Sequence, residues 1–458
     1  MPFENEFASY EPLRRIAQNE KVQALQKRLR IRDENTNLEN ILKELVDKSK
    51  LSATDWQPDM ILAIDGSSHS VPAQNGFPGA ELGYVTIASV FIDLEKVRAL
   101  EKEDFIDPKK FRETEKTSSI DAVFPGCNVA LENEESAKSS MRRLLFEELL
   151  NHREFEGGET LLETYEHLLK LKRESGSERT PPSCPCDLEE DFQYGYQSYD
   201  CNNCGKILFS SDAMRLHELH NPSGTCGEMY GQIMSTLEKL MLIHLLRSIE
   251  KKGWLASFRR FAFVLDGPLA VFSTSSWLMK SIVKELERIN NKQKEINGVD
   301  MMIIGIEKSG TFVNHFEMLD TEESGTKGKF ENGKALLLDD KYIKENIIFK
   351  EIDENNSKTY GKDTYFGRKF FYKTKNGYRV VPNLAYFNSY QGDLKTANAN
   401  QFSRLADVMN LLDSLVSSRY ANAISPLVSA HAEASIPLNL GKRIFEEIAK
   451  EIKNQSRI

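Results

Sequence analysis

Two aspartates stand at the ends of apolar runs, and each is followed by a glycine. Asp65 lies in MILAIDGS and Asp266 lies in FAFVLDGPL. A single Asp-Gly pair is typical of a turn, but ligands of an open α/β sheet collect beyond the carboxyl ends of neighbouring strands, where two such side chains can face one cavity. Two carboxylates at close range repel each other unless a cation lies between them. The pair therefore predicts a Mg²⁺ or Mn²⁺ site suited to phosphodiester hydrolysis.

A third acidic ligand is expected from the long helical segment that precedes Asp266. Glu238 is the first candidate, because a charge on an otherwise apolar helix face needs a partner. Its neighbours at helical spacing are Met234, Met241, Leu242 and Leu245. Glu228 is the alternative, although its own face is polar and a solvated acid near a helix start is an ordinary feature. The sequence leaves the choice between the two glutamates open.

Three further side chains suit a phosphate-handling site. His431 lies among small and apolar residues in LVSAHAEAS. Alone this pattern favours a structural histidine, but beside an acidic metal site it favours a metal ligand or a proton carrier. Tyr420 can orient a phosphate or a water molecule. Lys308, which follows Glu307 at the end of an apolar run, can reach a scissile phosphate.

Four of the six cysteines lie close together in the sequence. They are Cys184, Cys186, Cys201 and Cys204. Two close pairs separated by a loop of 14 residues are what a tetrahedral zinc requires. His217 or His220 can replace one cysteine. Four thiolates leave no open coordination position, so we expect a structural zinc that holds a small knuckle together.

A basic and aromatic segment near residue 370 suits a polyanion. Its basic residues are Arg368, Lys369, Lys373, Lys375 and Arg379, and its rings are Phe366, Phe370, Phe371, Tyr372 and Tyr378. Such interleaving favours a single strand held by charge and stacking. A β-hairpin with one solvated face is the alternative.

Composition limits the class of protein. The 458 residues carry a net charge of −9, so the whole chain is not a basic nucleic-acid coat. The charged N-terminus and the lack of a long apolar run predict a soluble, cytoplasmic protein without membrane contact. Clustered cysteines argue against a secreted disulfide framework. GKFENGKA resembles a phosphate-binding P-loop but has Ala335 where a hydroxyl should bind Mg²⁺.

The elements that must position these residues follow from periodicity. Apolar residues at helical spacing over 10–50 predict an exposed amphipathic arm, with a partner-binding helix as the alternative. Residues 60–93 predict an antiparallel strand pair. After residue 228 helices alternate with short apolar strands, which favours parallel crossover units. The fold class is therefore α/β, with a mixed sheet flanked by helices.

The predicted organisation has a main domain with an insertion. The expected segments are a helical arm over 1–55, a nuclease domain over 56–441, a zinc-binding insertion over 180–226 within it, and a C-terminal helix over 442–458.

Three motifs in this order resemble the NurA nucleases. They are AIDGS, LDGPL and a late Tyr followed by Ala-His. The motifs match Asp65, Asp266, Tyr420 and His431. The family glutamate lies closer to the second aspartate than Glu238 does, so the match requires a longer connection in this chain, such as EKKGWLASFRR.

The resemblance implies an RNase H-like fold and a manganese-dependent DNA nuclease. It also implies 5′ to 3′ exonuclease and some endonuclease activity, in a dimer that works with the hexameric HerA ATPase. The cysteine insertion departs from the compact archaeal members and favours longer bacterial relatives, in which the HerA and NurA pair is linked to DNA end processing and to phage defence. A non-catalytic DNA-binding adaptor of a ring ATPase and an RNase H-like enzyme acting on RNA are the alternatives.

Overall fold

A nine-stranded mixed sheet runs through the larger part of the chain, with strand order β1-β9-β10-β11-β8-β7-β2-β3-β4. The strands are β1 Val46–Asp47, β2 Met60–Gln74, β3 Ala80–Asp93, β4 Glu115–Pro125, β7 Phe261–Asp266, β8 Ile303–Glu307, β9 Lys334–Leu337, β10 Gly367–Lys373 and β11 Arg379–Ala385. A separate hairpin joins β5 Ser198–Asp200 to β6 Ile207–Phe209.

The described helices are numbered in chain order. They are α1 Glu11–Gln18, α2 Glu20–Arg28, α3 Leu38–Lys43, α4 Leu94–Leu100, α5 Ala137–Asn151, α6 Leu161–Glu174, α7 Gly227–Lys251, α8 Leu278–Asn297, α9 Thr311–Asp320, α10 Asp340–Asn346, α11 Leu405–Leu415, α12 Ser425–Ala434 and α13 Leu440–Gln455. The mixed sheet flanked by helices confirms the α/β prediction.

The computed structural model describes most of the chain. The described residues are 11–28, 38–52, 54, 56–74, 79–100, 115–175, 196–201, 204–321, 328–348, 358–416, 424–435 and 440–455. They fall into two compact units, Met1–Lys43 and Glu44–Ile458. The smaller unit contains α1, α2 and α3. None of the described helices is both long and apolar enough to cross a membrane.

Strands β2, β3 and β4 form an antiparallel meander, and β7 and β8 continue the sheet in parallel from the free side of β2. Helices α7 and α8 lie along the chain before β7 and β8, which is the arrangement of crossover connections. Strand β2 pairs with β7 only from Met60 to Ile64, whereas it pairs with β3 as far as Gln74. Asp65 and Asp266 therefore lie where the parallel pairing of β2 and β7 ends.

Alternation along β2 decides which core each side chain enters. Leu62 and Ile64 join a core built with α5, α6, α7 and α8, whereas Ile61 and Ala63 join a second core built with α11 and α12. Successive side chains of a strand point to opposite faces. Both faces of β2 are buried before Asp65, so the apolar run there is continuous.

Candidate active site

Asp65 and Asp266 lie side by side at one edge of the parallel part of the sheet. Ile64 pairs with Leu265 in the parallel register, so the next residue of each strand is an aspartate. Asp65 lies two residues after Ala63, and Asp266 lies two residues after Val264. Both aspartates therefore point to the same face of the sheet as these two residues, the face covered by α11 and α12. Asp65 is 1% exposed, whereas Asp266 is partly exposed.

The glycines after the two aspartates serve different purposes. Gly267 has a φ of +73°, which favours glycine, and its N–H donates to the Asp266 carboxylate over 3.0 Å. Gly66 lies within β2, and a Cβ there would stand 2.8 Å from Oε1 of Glu238 and 2.7 Å from Cγ of Met234. Gly66 is therefore a point of close approach between β2 and α7.

Glu238 reaches the site through this gap. Helix α7 packs on the face opposite Asp65 and carries Glu238 at 5% exposure. The Lys239 Nζ lies 2.5 Å from Oε2 of the glutamate. Glu228, by contrast, is exposed in the first turn of α7, ten residues away, which corresponds to about 15 Å along a helix.

Lys308 supplies a positive charge between the two aspartates. It follows Glu307, the last residue of β8, and its Nζ lies 3.1 Å from Oδ1 of Asp266 and 3.8 Å from Oδ2 of Asp65. Its side chain is 27% exposed. Glu307 points to the other face, where it pairs with Lys369 over 2.7 Å. Of these two neighbours, only Lys308 therefore contacts the aspartates.

His431 approaches Asp65 from α12. Its Nδ1 lies 3.0 Å from Oδ2 of Asp65, and its side chain is 58% exposed. The hydroxyl of Ser67, two residues after Asp65, donates to the Ala434 carbonyl over 2.9 Å and fixes the end of α12 on β2. The ring is therefore oriented by Asp65 and remains accessible.

Burial and neighbouring negative charge disfavour the ionised form of Asp65. Burial, followed by the negative charge of Asp266, raises its pKa to about 8, and Lys308 opposes this rise. Burial also raises the pKa of Glu238, which Lys239 opposes and Asp266 reinforces. The carboxylates thus repel one another, and neighbouring positive charges reduce this repulsion.

The donor set fits a hard divalent cation in its chemistry. Mg²⁺ and Mn²⁺ prefer carboxylate oxygens, and three carboxylates converge on this edge, where the charge of Asp266 raises the pKa of both Asp65 and Glu238. Their present spacing differs from that of a formed metal site, since no group of three or more His, Cys, Asp or Glu side chains in the described part of the chain stands ready to hold an ion. Two lysines neutralise the acids in this arrangement.

Tyr420 lies outside the described residues. Gly66 and Lys239 were not predicted as site residues, although the sequence carries a signal for Lys239. Lys239 adjoins Glu238 on a buried helix, and a buried lysine needs an acidic partner. The Asp65-Gly66 pair is typical of a turn, but both residues lie well inside a 15-residue strand.

The predicted zinc site is only half described. Cys184 and Cys186 lie outside the described residues. Cys201 is buried and Cys204 is exposed in the tight turn of the β5–β6 hairpin, where the Gly205 N–H donates to the Cys201 carbonyl over 2.8 Å. The zinc knuckle stays a prediction.

The two histidines weighed as zinc ligands have protein contacts. Burial lowers the pKa of His217 to about 4, and its Nδ1 lies 3.8 Å from Asp212. His220 contacts the Gly126 carbonyl at 3.3 Å.

The prediction that the segment near residue 370 binds a single strand of nucleic acid is wrong. Arg368 is 1% exposed and donates to the carbonyls of Gln391 and Asp393. The other pairs are Lys369 with Glu307, Lys373 with Asp320, and Arg379 with Glu317 and Asp320. The rings of Phe366, Phe370, Phe371 and Tyr372 are fully buried, and only Lys375 of the basic set is exposed. Strand β10 lies between β9 and β11 and is covered on both faces, so its long basic side chains end on internal partners.

Comparison with known proteins gives a family. The NurA domain model matches residues 59–436. Among solved structures, the crystal structure of the NurA nuclease from Sulfolobus solfataricus aligns over 97% of this chain and 97% of that chain, with 12% identity and a TM-score of 0.31. These last values are too low to transfer residue roles. No curated protein sequence matches significantly.

Proposed function

The chain belongs to the NurA family, and on that premise we propose that it is a nuclease that hydrolyses phosphodiester bonds of DNA with Mn²⁺ or Mg²⁺. The observation that carries the proposal is the pair of aspartates that lie side by side where the parallel pairing of β2 and β7 ends, with Glu238 approaching them at Gly66. Acidic residues gathered at a strand edge are suited to hold a cation rather than to stabilise a fold.

Each residue of this group has a proposed role. Asp65, Asp266 and Glu238 hold the cation, and His431 completes the site. The cation, when bound, supplies a more acidic water and stabilises negative charge on the phosphate. His431, oriented by Asp65 and exposed, can also exchange a proton with the attacking water or the leaving group. Lys308 binds the phosphate, and Tyr420 orients it or the water.

The finer features of the proposal follow from the family. They are an RNase H-like fold, 5′ to 3′ exonuclease or endonuclease activity, a homodimer, a HerA-type hexameric ATPase as partner, and a role in DNA end processing or phage defence. The meander β2-β3-β4 with two parallel strands beside β2 supports the RNase H-like fold. The proposal of an ATPase on another chain is consistent with the P-loop-like segment of this chain, because Lys334 begins strand β9 rather than the helix that follows a P-loop. A structural zinc in the cysteine insertion also remains part of the proposal.

Cleavage assays with end-labelled single-stranded and duplex DNA, and with the same sequences as RNA, test the proposal over a Mn²⁺ titration. We expect Mn²⁺-dependent DNA fragments from the wild type and none from Asp65→Ala. Asp363→Ala, at a surface ion pair with Lys358, is the matched control and should cleave normally. Labels at the 5′ and 3′ ends give the polarity.

Three outcomes contradict the proposal. Full activity of Asp65→Ala would remove the assigned site. A shift in DNA mobility without fragments at any Mn²⁺ concentration would favour the adaptor. Preferential cleavage of RNA would favour an RNase H-like enzyme of that specificity.

A further inference from the structure

Two lysines neutralise the acidic group, but they are held very differently. Lys239 is 3% exposed on α7 and is packed beside Glu238. Lys308 is 27% exposed and follows the last residue of β8. It precedes the exposed Ser309 and Gly310, and Gly310 has a φ of +102° with no atom within 4 Å of the position of a Cβ. One lysine is fixed in the core, and the other stands on a short exposed link with room to move.

The position of Lys308 matters because of what it touches. Its ammonium lies 3.1 Å from Asp266 and 3.8 Å from Asp65, so it contacts both aspartates that the proposed function assigns to the cation. A divalent cation on the same oxygens would face a positive charge at contact distance, and this repulsion is strong at a partly buried site. The lysine and the cation therefore compete for the same carboxylates.

We propose that Lys308 holds the cation position in the metal-free chain and is displaced to the solvent side when the metal binds. This inference rests on the proposed function, since it takes the two aspartates as metal ligands. Lys308 keeps the carboxylates together without a metal, and it lowers the affinity for the metal by its own affinity for the aspartates. The flexible four-carbon stem lets the released ammonium stay near the site, where a bound phosphate would accept it.

Metal affinity gives the first test. Mn²⁺ binding is measured by calorimetry, without DNA, for the wild type, Lys308→Met, Lys308→Arg and the control Lys280→Met, whose lysine is 60% exposed and pairs with Asp363. We expect the dissociation constant of Lys308→Met to fall by about fivefold or more, the lower range of coupling between sites. Lys308→Arg, which keeps the charge, should remain closer to the wild type, and Lys280→Met should not change. Unchanged or weaker binding by Lys308→Met overturns the proposal.

Amine labelling of the wild type gives a second test that needs no variant. The protein is treated briefly with an acetylating reagent, with and without saturating Mn²⁺, and the label at each lysine is quantified by mass spectrometry. We expect labelling of Lys308 to rise with Mn²⁺ while that of Lys280 stays constant. Equal or lower labelling of Lys308 with Mn²⁺ contradicts displacement.

Both readouts are independent of cleavage, so the two proposals can fail separately. A chain that cuts DNA but shows neither tighter binding in Lys308→Met nor greater labelling retains its nuclease function and loses this inference. A chain that passes both tests and cuts neither DNA nor RNA retains the competition and loses the nuclease function.

Discussion

Asp65 occupies a costly position for a negative charge. It is 1% exposed, and Asp266 and Glu238 add negative charge beside it. A residue selected only for stability would not be an acid in such a place. The pKa of about 8 therefore indicates that the chain tolerates a local destabilisation for the sake of the site.

This position gives a pH-dependent prediction for Asp65→Asn in the metal-free chain. A carboxyl whose pKa is raised on folding contributes most stability below its unfolded value of 3.8, and this contribution is lost as the pH rises through about 8. The amide cannot ionise. We expect the melting temperature of Asp65→Asn in EDTA to exceed that of the wild type by about 2 °C or more at pH 8.5, and this advantage to shrink towards pH 5.

Calorimetric or fluorescence melting across this pH range checks the prediction. A difference in melting temperature that is constant at all pH values would show that ionisation of Asp65 does not destabilise the fold. The same variant should not cleave DNA, because an amide is a poorer ligand for a hard cation than a carboxylate.

At the scale of elements, the contact between α7 and β2 places the third carboxylate. Gly66→Ala would put a Cβ 2.8 Å from Oε1 of Glu238 and 2.7 Å from Cγ of Met234, so the helix or the glutamate must shift. We expect cleavage to fall by about a hundredfold, as is typical when a catalytic group is displaced by an ångström. The chain should still fold.

Gly231→Ala on α7 is the matched control, since nothing lies within 4 Å of its Cβ position. Alanine in a helix interior should raise stability by up to about 1 kcal/mol and leave cleavage unchanged. Circular dichroism and cleavage rates compare the two variants. Equal activity of Gly66→Ala and Gly231→Ala would contradict the role given to the close approach.

Strand β10 gives a prediction opposite to the one that its composition suggests. Lys369→Met removes the partner of the buried Glu307 and should lower the free energy of unfolding by about 3–5 kcal/mol. DNA affinity, measured well below the melting temperature, should not change. The exposed Lys375→Met should leave stability unchanged. Loss of DNA binding without loss of stability in Lys369→Met would restore the strand-binding hypothesis.

At the scale of the whole molecule, Glu44–Ile458 contains the sheet, the two large cores described above and every described residue of the candidate site. We therefore expect a chain that begins at Glu44 to retain the melting temperature and the Mn²⁺-dependent cleavage of the full chain. Thermal melting and the DNA assay check this expectation. A clear fall in melting temperature would show that Met1–Lys43 stabilises the larger unit.

The sequence predicts some of this arrangement and not the rest, for physical reasons. The α/β class follows from helical segments that alternate with short apolar strands. The side-by-side position of Asp65 and Asp266 follows from two apolar runs that each precede an acid, since parallel strands in register place the next residues beside each other. The burial of Lys369 does not follow, because the pattern of one strand does not reveal which groups cover its faces, here the ring of Phe312 and the carboxylate of Glu307. Nor does Gly66 as a contact point, because its neighbour Glu238 is far away in the sequence.

The unequal pairing of β2 has a mechanical consequence for the two aspartates. Asp65 lies in the middle of β2, and the backbone on either side of it is bonded to β3, whereas β7 ends at Asp266 and a glycine turn follows. One ligand of the proposed cation is thus anchored and the other is adjustable. Any rearrangement that brings the carboxylates to coordinating distance should move Asp266 and the loop behind it, and leave Asp65 as the fixed reference point of the reaction.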